Sequence, residues 1–189
     1  MAVTWALIGI NVVVYGLQWL LMLLGWNPIS LLGLAPAYVG QMPWTFVTSG
    51  FAHSMGNPFH LILNMYTLWL FGRMLETEVG HGRFLLVYLL SLLGGSTAVV
   101  LLSSPLILTV GASGAVFGLF GAMLAFALWG PHEHRQNLSG IVVLIALNAV
   151  FSVLVPGISW QGHLGGLVVG AVVMGILLAM DRRSRRTRR

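Results

Sequence analysis

Residues 111–129 read GASGAVFGLFGAMLAFALW, an uninterrupted apolar run that opens on Gly111-Ala112-Ser113-Gly114 and closes on Trp129 without one charged side chain. A run of this kind has the length, about 20 residues, that a helix needs to cross a hydrocarbon core of about 30 Å. Five more runs flank it, at residues 5–24, 59–75, 84–102, 138–155 and 161–180, separated by Gly, Pro, Asn and Arg. They are continuous, whereas the strands of an outer-membrane barrel alternate in short segments. The expected fold is therefore an all-α membrane protein, a bundle of six transmembrane helices. The first run, Trp5 to Leu24, is longer than a signal-peptide apolar region and lacks a small-residue cleavage site, so it is expected to be retained as a helix.

Composition agrees with this class. Of the 189 residues, 58% are hydrophobic and 7% charged, and the mean hydropathy is +0.92, whereas soluble domains carry about a quarter charged residues. One membrane domain over residues 1–189 is expected, ending in a basic tail at 181–189.

Charge then orients the chain. Arg73 and Arg83 bracket the connection after the second run, Arg135 follows the fourth, and Arg182, Arg183, Arg185, Arg186, Arg188 and Arg189 follow the sixth, while the remaining connections carry no charge. The positive-inside rule places both termini in the cytoplasm. The net charge of +5 is thereby assigned to topology and to anionic lipid headgroups, with the bilayer as a partner and no nucleic acid. The expected location is the cell inner (plasma) membrane, crossed several times.

The residue inventory narrows the chemistry. There is no Cys and no Lys, which excludes disulfides, thiolate ligands, a cysteine nucleophile and a Ser-Lys pair. Glu76, Glu78, Glu133 and Asp181 all fall on the cytoplasmic side, so serine-histidine chemistry at the other face has to work as a dyad. His81, His132 and His134 sit beside charged residues in cytoplasmic connections and read as solvated. His60 and His163, with Asn64, lie inside apolar runs, where a polar group is costly unless paired or functional. His53 precedes the second run at the outer boundary.

The second, fourth and sixth runs travel in the same direction, so His60, Asn64, Ser113 and His163 all fall in the first turns of their helices, at similar depth. Gly111-Ala112-Ser113-Gly114 places Ser113 at a helix N-terminus, where free N–H groups and the dipole favour negative charge. His60 and Asn64, at i and i+4, share a helix face and offer two further donors. Small residues at three- or four-residue spacing, Gly114, Gly118, Gly121 and Ala125 against Gly162, Gly166 and Gly170, allow the fourth and sixth helices to touch. That contact brings Ser113 toward His163, the geometry that activates a weak nucleophile.

These pieces resemble the rhomboid intramembrane serine proteases, in their bacterial, minimal six-helix form, from about Trp44 to Ala179. The matching motifs are His53 with His60-Leu-Ile-Leu-Asn64, Gly72-Arg73-Met-Leu-Glu76, Gly111-Ala112-Ser113-Gly114, and His163-Leu-Gly-Gly166-Leu-Val-Val-Gly170. The resemblance implies a serine endopeptidase with Ser113 as nucleophile and His163 as general base, then acid. His60, Asn64 and the N–H groups of Ala112 and Ser113 would hold the oxyanion, with Phe117, His53, Gly111 and Gly114 in support. It implies as substrate a transmembrane segment of another protein, entering laterally and cut near its outer end, and it requires no cofactor and no metal.

Three positions depart from that pattern. Phe117 stands where many members have Tyr, Thr45 follows Trp44 where many have Arg, and the stretch from Ser54 to Phe59 is somewhat longer, with Gly56-Asn57-Pro58 starting the helix. The uncharged connection from Gly25 to Pro58, with Trp26, Tyr38, Trp44, Phe46 and Phe51, is expected to sink into the outer leaflet. Ser103 to Val110 is expected to dip inward and seat Ser113. Asn148 and Ser152 in the fifth run, and Ser96 and Thr97 in the third, read as interhelical hydrogen bonds, and Arg73 with Glu76 as a structural pair. Two other functions compete: a catalytically silent relative that binds membrane clients, and a small transporter or a metal site on His53, His60 and His163. Silent relatives typically lack the serine or the histidine, and the metal reading lacks an acidic ligand or an HExxH motif.

Overall fold

The computed structural model describes residues 1–130, 138–155 and 157–187. His132, Glu133, His134, Arg135, Arg188 and Arg189 lie outside the described residues, as do the side chains of Arg185 and Arg186. Each apolar run forms a helix: α1 at Ala2–Leu23, α4 at Pro58–Val79, α5 at His81–Leu102, α6 at Ser113–Trp129, α7 at Leu138–Leu154 and α8 at Trp160–Thr187. Two short helices, α2 at Pro28–Leu32 and α3 at Thr45–Thr48, and a 3₁₀ turn at Pro36–Tyr38 organise the connection between α1 and α4. Among the described residues β-pairing is confined to one antiparallel bridge, Leu34 with Thr109. The protein is all-α.

Local chemistry sets the helix starts. Asn57 caps α4 by accepting from the N–H of Phe59, with Pro58 in the first turn, and Asn27 caps α2 in the same way through Ile29 and Ser30. α4 outruns the expected 59–75 at its far end and stops at Gly80, whose φ of 83° turns the chain directly into α5. α6 begins two residues after its apolar run does, because Gly111 has a φ of 129°. α8 runs past residue 180 to Thr187, so the expected basic tail is helical through that residue. Arginine is a good helix former, and a bidentate bond from Arg83 to Asp181, at 2.6 and 2.7 Å, ties this end to α5.

α6 is the central helix, its residues from Ala115 to Ala122 all buried, and it packs most closely on α8 and α5. The glycines make this possible: a Cβ on Gly166 would collide with the carbonyl of Gly114, and one on Gly170 with that of Gly118. Small residues let helix backbones touch where no water drives association. On the opposite face of α8 Leu164, Val168, Val172, Ile176 and Met180 form an exposed stripe, also at four-residue spacing. An apolar stripe of that length would be unstable in water and is stable against lipid acyl chains. α1, α5 and α8 are each long and apolar enough to cross a membrane, and α6 and α7 are shorter apolar helices. The protein is a multi-pass membrane protein.

The charged end of the bundle differs from the expected arrangement. Arg73 does not pair with Glu76; its guanidinium lies 5.2 Å from the centroid of Trp69. Glu76 is 2% exposed and accepts from the N–H of Val3 at 3.0 Å and from the N–H and hydroxyl of Thr4 at 2.9 and 2.5 Å. A carboxylate from α4 thus satisfies donors at the start of α1 that have no partner within that helix. His81 is likewise no free loop residue: it opens α5, with Nδ1 2.5 Å from Glu76.

Candidate active site

Ser113 owes its position to two loops zipped together. Leu34 and Thr109 exchange backbone bonds of 3.0 and 2.8 Å, Ala37 donates to the carbonyl of Pro105 at 2.9 Å, and Gly111 donates to that of Ser49 at 2.8 Å. The stretch 103–110 is thereby pinned to the long α1–α4 connection, and α6 starts with Ser113 as its first residue. The latter connection has its own anchors. Trp44 Nε1 bonds the carbonyl of Leu31 at 3.1 Å, Thr45 Oγ1 that of Met42 at 2.7 Å, and Ser96 Oγ on α5 that of Phe46 at 2.7 Å. Neutral hydrogen bonds hold this loop where many sequences of the resembling family would use a charge. Ser96 therefore bridges a helix to the loop rather than to another helix, and Thr97 bonds within its own helix, to the carbonyl of Leu93.

Gly111 marks the centre of the site. A Cβ built there would lie 2.7 Å from His60 Nε2 and 3.6 Å from Ser113 Oγ, so both polar atoms surround one small space that only a glycine leaves open. His60 Nδ1 accepts from the N–H of Ser54 at 3.4 Å. In a neutral imidazole the other nitrogen then carries the hydrogen, so Nε2 is a donor toward that space. Asn64, buried one turn along α4, gives one amide hydrogen to the carbonyl of His60 at 2.7 Å. A second hydrogen remains on the same nitrogen.

His53 is fully buried, its ring 5.2 Å from that of His60 in an edge-on contact. The carboxamide of Gln18 in α1 grips its backbone at both ends, donating to its carbonyl and accepting from its N–H, each at 2.9 Å. Burial first, and the neighbouring His60 second, hold His53 below the ordinary imidazole range, so it is uncharged at neutral pH.

His163, in the first turn of α8, is 8% exposed. The ring of Phe117 stacks on it at 3.9 Å with the planes 11° apart. Phe117 stands one helical turn after Ser113 and shares its face of α6. His163 Nδ1 is 2.6 Å from Ser152 Oγ on α7, while Nε2 is buried and bonds nothing among the described residues. Buried polar atoms are nearly always hydrogen-bonded, and among the described residues Nε2 of His53 shares this unpaired state with Nε2 of His163.

The structure gathers His53, His60, Asn64, Gly111, Ala112, Ser113 and Gly114 into one loop-and-helix-start cluster, with Phe117 and His163 stacked one turn deeper. α8 approaches closely here because a Cβ on Gly166 would collide with the backbone of Gly114, whereas a Cβ on Gly114 itself would stand 3.4 Å from the carbonyl of Gly162, next to His163. Two contributors were not legible as such in the sequence, Gln18 as the clamp on His53 and Ser152, read as an interhelical hydrogen bond, as the partner of His163. Both are polar residues inside apolar runs, the signal that could have singled them out. Asn148, expected to bond between helices, bonds the carbonyl of Leu144 in its own helix.

Chemically, a hydroxyl at a helix N-terminus beside an imidazole donor, with a second imidazole whose Nε2 is unpaired, suits acyl transfer: nucleophile, base and oxyanion donors. Comparison with known proteins gives the family. Residues 40–180 match the model of the Rhomboid domain. The chain is 37% identical over 144 residues to RHOMBOID-like protein 4 of Arabidopsis thaliana, a match covering 74% of this chain and 35% of that longer protein. It is 40% identical over 113 residues to Rhomboid protease GluP of Bacillus subtilis, covering 59% of this chain and 22% of that one. To Putative rhomboid protease YdcA of the same bacterium it is 32% identical over 144 residues, 76% of this chain and 70% of the relative. The match to the Rhomboid domain spans the charged end of α4, the start of α6 and all of the site except Gln18, and the chain belongs to the rhomboid family.

Proposed function

We propose that this protein is an intramembrane serine endopeptidase that cleaves transmembrane segments of other membrane proteins with a Ser113–His163 dyad. The observation that carries this reading is the placement of His60 Nε2 and Ser113 Oγ around Gly111, with His163 held by Phe117 one turn away on the same face of α6.

His163 Nε2 takes the proton of Ser113 as Oγ forms its bond to the scissile carbonyl carbon. The carbonyl oxygen becomes an oxyanion held by the N–H groups of Ala112 and Ser113, which have no acceptor within the helix they open, and by His60 Nε2–H and Asn64. The C–N bond then breaks as His163 returns the proton to the departing amine, leaving an acyl-enzyme on Ser113. Water, deprotonated by the same nitrogen, releases the acid and restores the hydroxyl.

In this reading all six long helices span the membrane and the chain is a single membrane domain. The arginine-rich ends lie in the cytoplasm, and the site opens toward the extracytoplasmic side of the plasma membrane. Sixteen residues separate His60 from Glu76, about 24 Å of helix, so the carboxylate end sits far from the chemistry. The substrate is a transmembrane helix that reaches Ser113 from the lipid.

The test is cleavage of a tagged single-span substrate by the purified protein in liposomes. The wild type yields a product cut within or at the end of the span, and Ser113→Ala yields none. A wild type that leaves a panel of such substrates intact contradicts the proposal.

A further inference from the structure

A dyad in which His163 is the base needs a group that makes Nε2, rather than Nδ1, the basic nitrogen. In a serine-histidine-aspartate triad a buried carboxylate does this by accepting the hydrogen of Nδ1. Here Asp181 lies eighteen residues along α8 from His163, about 27 Å of helix, and Glu76 caps α1 at the same end. The group that touches Nδ1 is a hydroxyl.

Ser152 Oγ is 2.6 Å from His163 Nδ1 and also 2.6 Å from the carbonyl oxygen of Asn148, to which it donates. Both Ser152 and His163 are buried, at 4% and 8% exposure. A hydroxyl has one hydrogen and two lone pairs, whereas a carbonyl oxygen can only accept. If Ser152 gave its hydrogen to Nδ1, two oxygens 2.6 Å apart would face each other with no hydrogen between them. The arrangement that satisfies every atom is a one-way chain: Nδ1–H of His163 to Oγ of Ser152, and O–H of Ser152 to the carbonyl of Asn148.

We propose that Ser152 is the positioning residue of this site: it holds His163 in the Nδ1–H tautomer and so leaves the lone pair on Nε2 for the proton of Ser113. This inference rests on His163 being the general base. The buried, unpaired Nε2 is what such a chain would leave, an acceptor awaiting a proton. When His163 takes that proton, its Nδ1–H bond to Ser152 is already in place and does not rearrange. Phe117 fixes the plane of the ring but cannot choose between its nitrogens; Ser152 makes that choice. Being uncharged, it stabilises the imidazolium less than a carboxylate would, so its removal has a smaller effect than loss of the aspartate from a triad, about 10⁴-fold.

Two measurements decide this. In protein labelled with ¹⁵N-histidine, in detergent at pH 8, the His163 signal, identified by its loss in His163→Asn, is expected to show hydrogen on Nδ1 and none on Nε2. Ser152→Ala is expected to shift that signal toward the opposite or a mixed tautomer. An Nε2–H ring in the wild type overturns the proposal, and so does an unchanged tautomer in Ser152→Ala. In the cleavage assay Ser152→Ala is expected to lower kcat about 10- to 100-fold, the size of effect found when a hydrogen bond orienting a metal-ligating histidine is lost, with KM within about two-fold. Ser152→Thr, whose hydroxyl can still bond the carbonyl four residues back, is expected to recover most of it. Equal kcat values for Ser152→Ala and wild type overturn the proposal. The tautomer is readable in the Ser113→Ala protein as well, so a failure of the protease reading, seen as an inert wild type, is distinct from a failure of this one.

Discussion

Phe117 and His163 lie ring on ring, 3.9 Å apart and 11° from parallel, and this stack joins the first turn of α8 to the face of α6 that carries Ser113. An offset aromatic stack is worth about 0.5–1.5 kcal/mol beyond its buried area. Phe117→Ala is therefore expected to lower kcat about ten-fold or more, while Phe117→Tyr keeps the ring and most of the rate. Gel-based initial rates on a single-span substrate measure both. Full activity in Phe117→Ala would show that the stack does not orient the base.

His60 and Asn64 are expected to act on the transition state rather than on the nucleophile. Loss of one preorganised oxyanion donor typically lowers kcat by about 10² to 10³, and that is the range expected for His60→Ala and for Asn64→Ala. Labelling of Ser113 by a fluorophosphonate should persist in both. The two outcomes differ for Asn64 in an informative way, since one of its hydrogens serves the His60 carbonyl; if Asn64→Ala cleaves normally, that bond is its whole role.

Gly111→Ala puts a methyl group 2.7 Å from His60 Nε2, on a backbone with a φ of 129°. Strained backbone of this kind costs about 1–3 kcal/mol per residue. The variant is expected to melt several degrees lower in detergent and to be inactive, because the space between His60 and Ser113 is filled. Wild-type activity would mean that this space is not where the substrate carbonyl sits.

Much of this was legible in the sequence because membrane helices announce themselves by length and apolarity. Ser113 at a helix start follows from a Gly-rich opening before an apolar run, and the α6–α8 contact from glycines four apart. Phe117, expected in support of the site, stacks on His163. Pairings set by tertiary packing were not legible. Arg73 and Glu76 are neighbours on α4, yet the carboxylate turns to the N–H groups of α1 and the guanidinium to Trp69, because buried backbone donors are the harder groups to leave unpaired. Ser152 was read as an interhelical hydrogen bond and makes one, but local spacing could not show that its partner is His163, since that depends on how α7 leans. The start of α4 was legible, in Asn57-Pro58.

Two polar anchors separate stability from chemistry. Gln18→Leu leaves the N–H and carbonyl of the buried His53 without their partner, at a cost of about 1–3 kcal/mol per unsatisfied group. Glu76→Gln weakens four bonds to Val3, Thr4 and His81. Both are expected to lower the melting temperature by several degrees, since about 1 kcal/mol moves a chain of this size by about 2–4 °C. Per folded molecule, Glu76→Gln should keep kcat within several-fold, because the site has no use for a carboxylate. A folded but inactive Glu76→Gln protein would undo the assignment of the chemistry to the opposite end of the bundle.

The reactivity of the Ser113 hydroxyl is the property on which a serine-histidine dyad depends most directly. Detergent-solubilised protein is treated with a fluorophosphonate, with and without a chelator, and the modified peptide is located by mass spectrometry. The predicted result is a single adduct on Ser113, insensitive to the chelator, absent in Ser113→Ala and reduced to near background in His163→Ala, as the roughly 10⁶-fold effect of losing either member of such a unit requires. No adduct on Ser113 in folded wild-type protein, or undiminished labelling in His163→Ala, would contradict it.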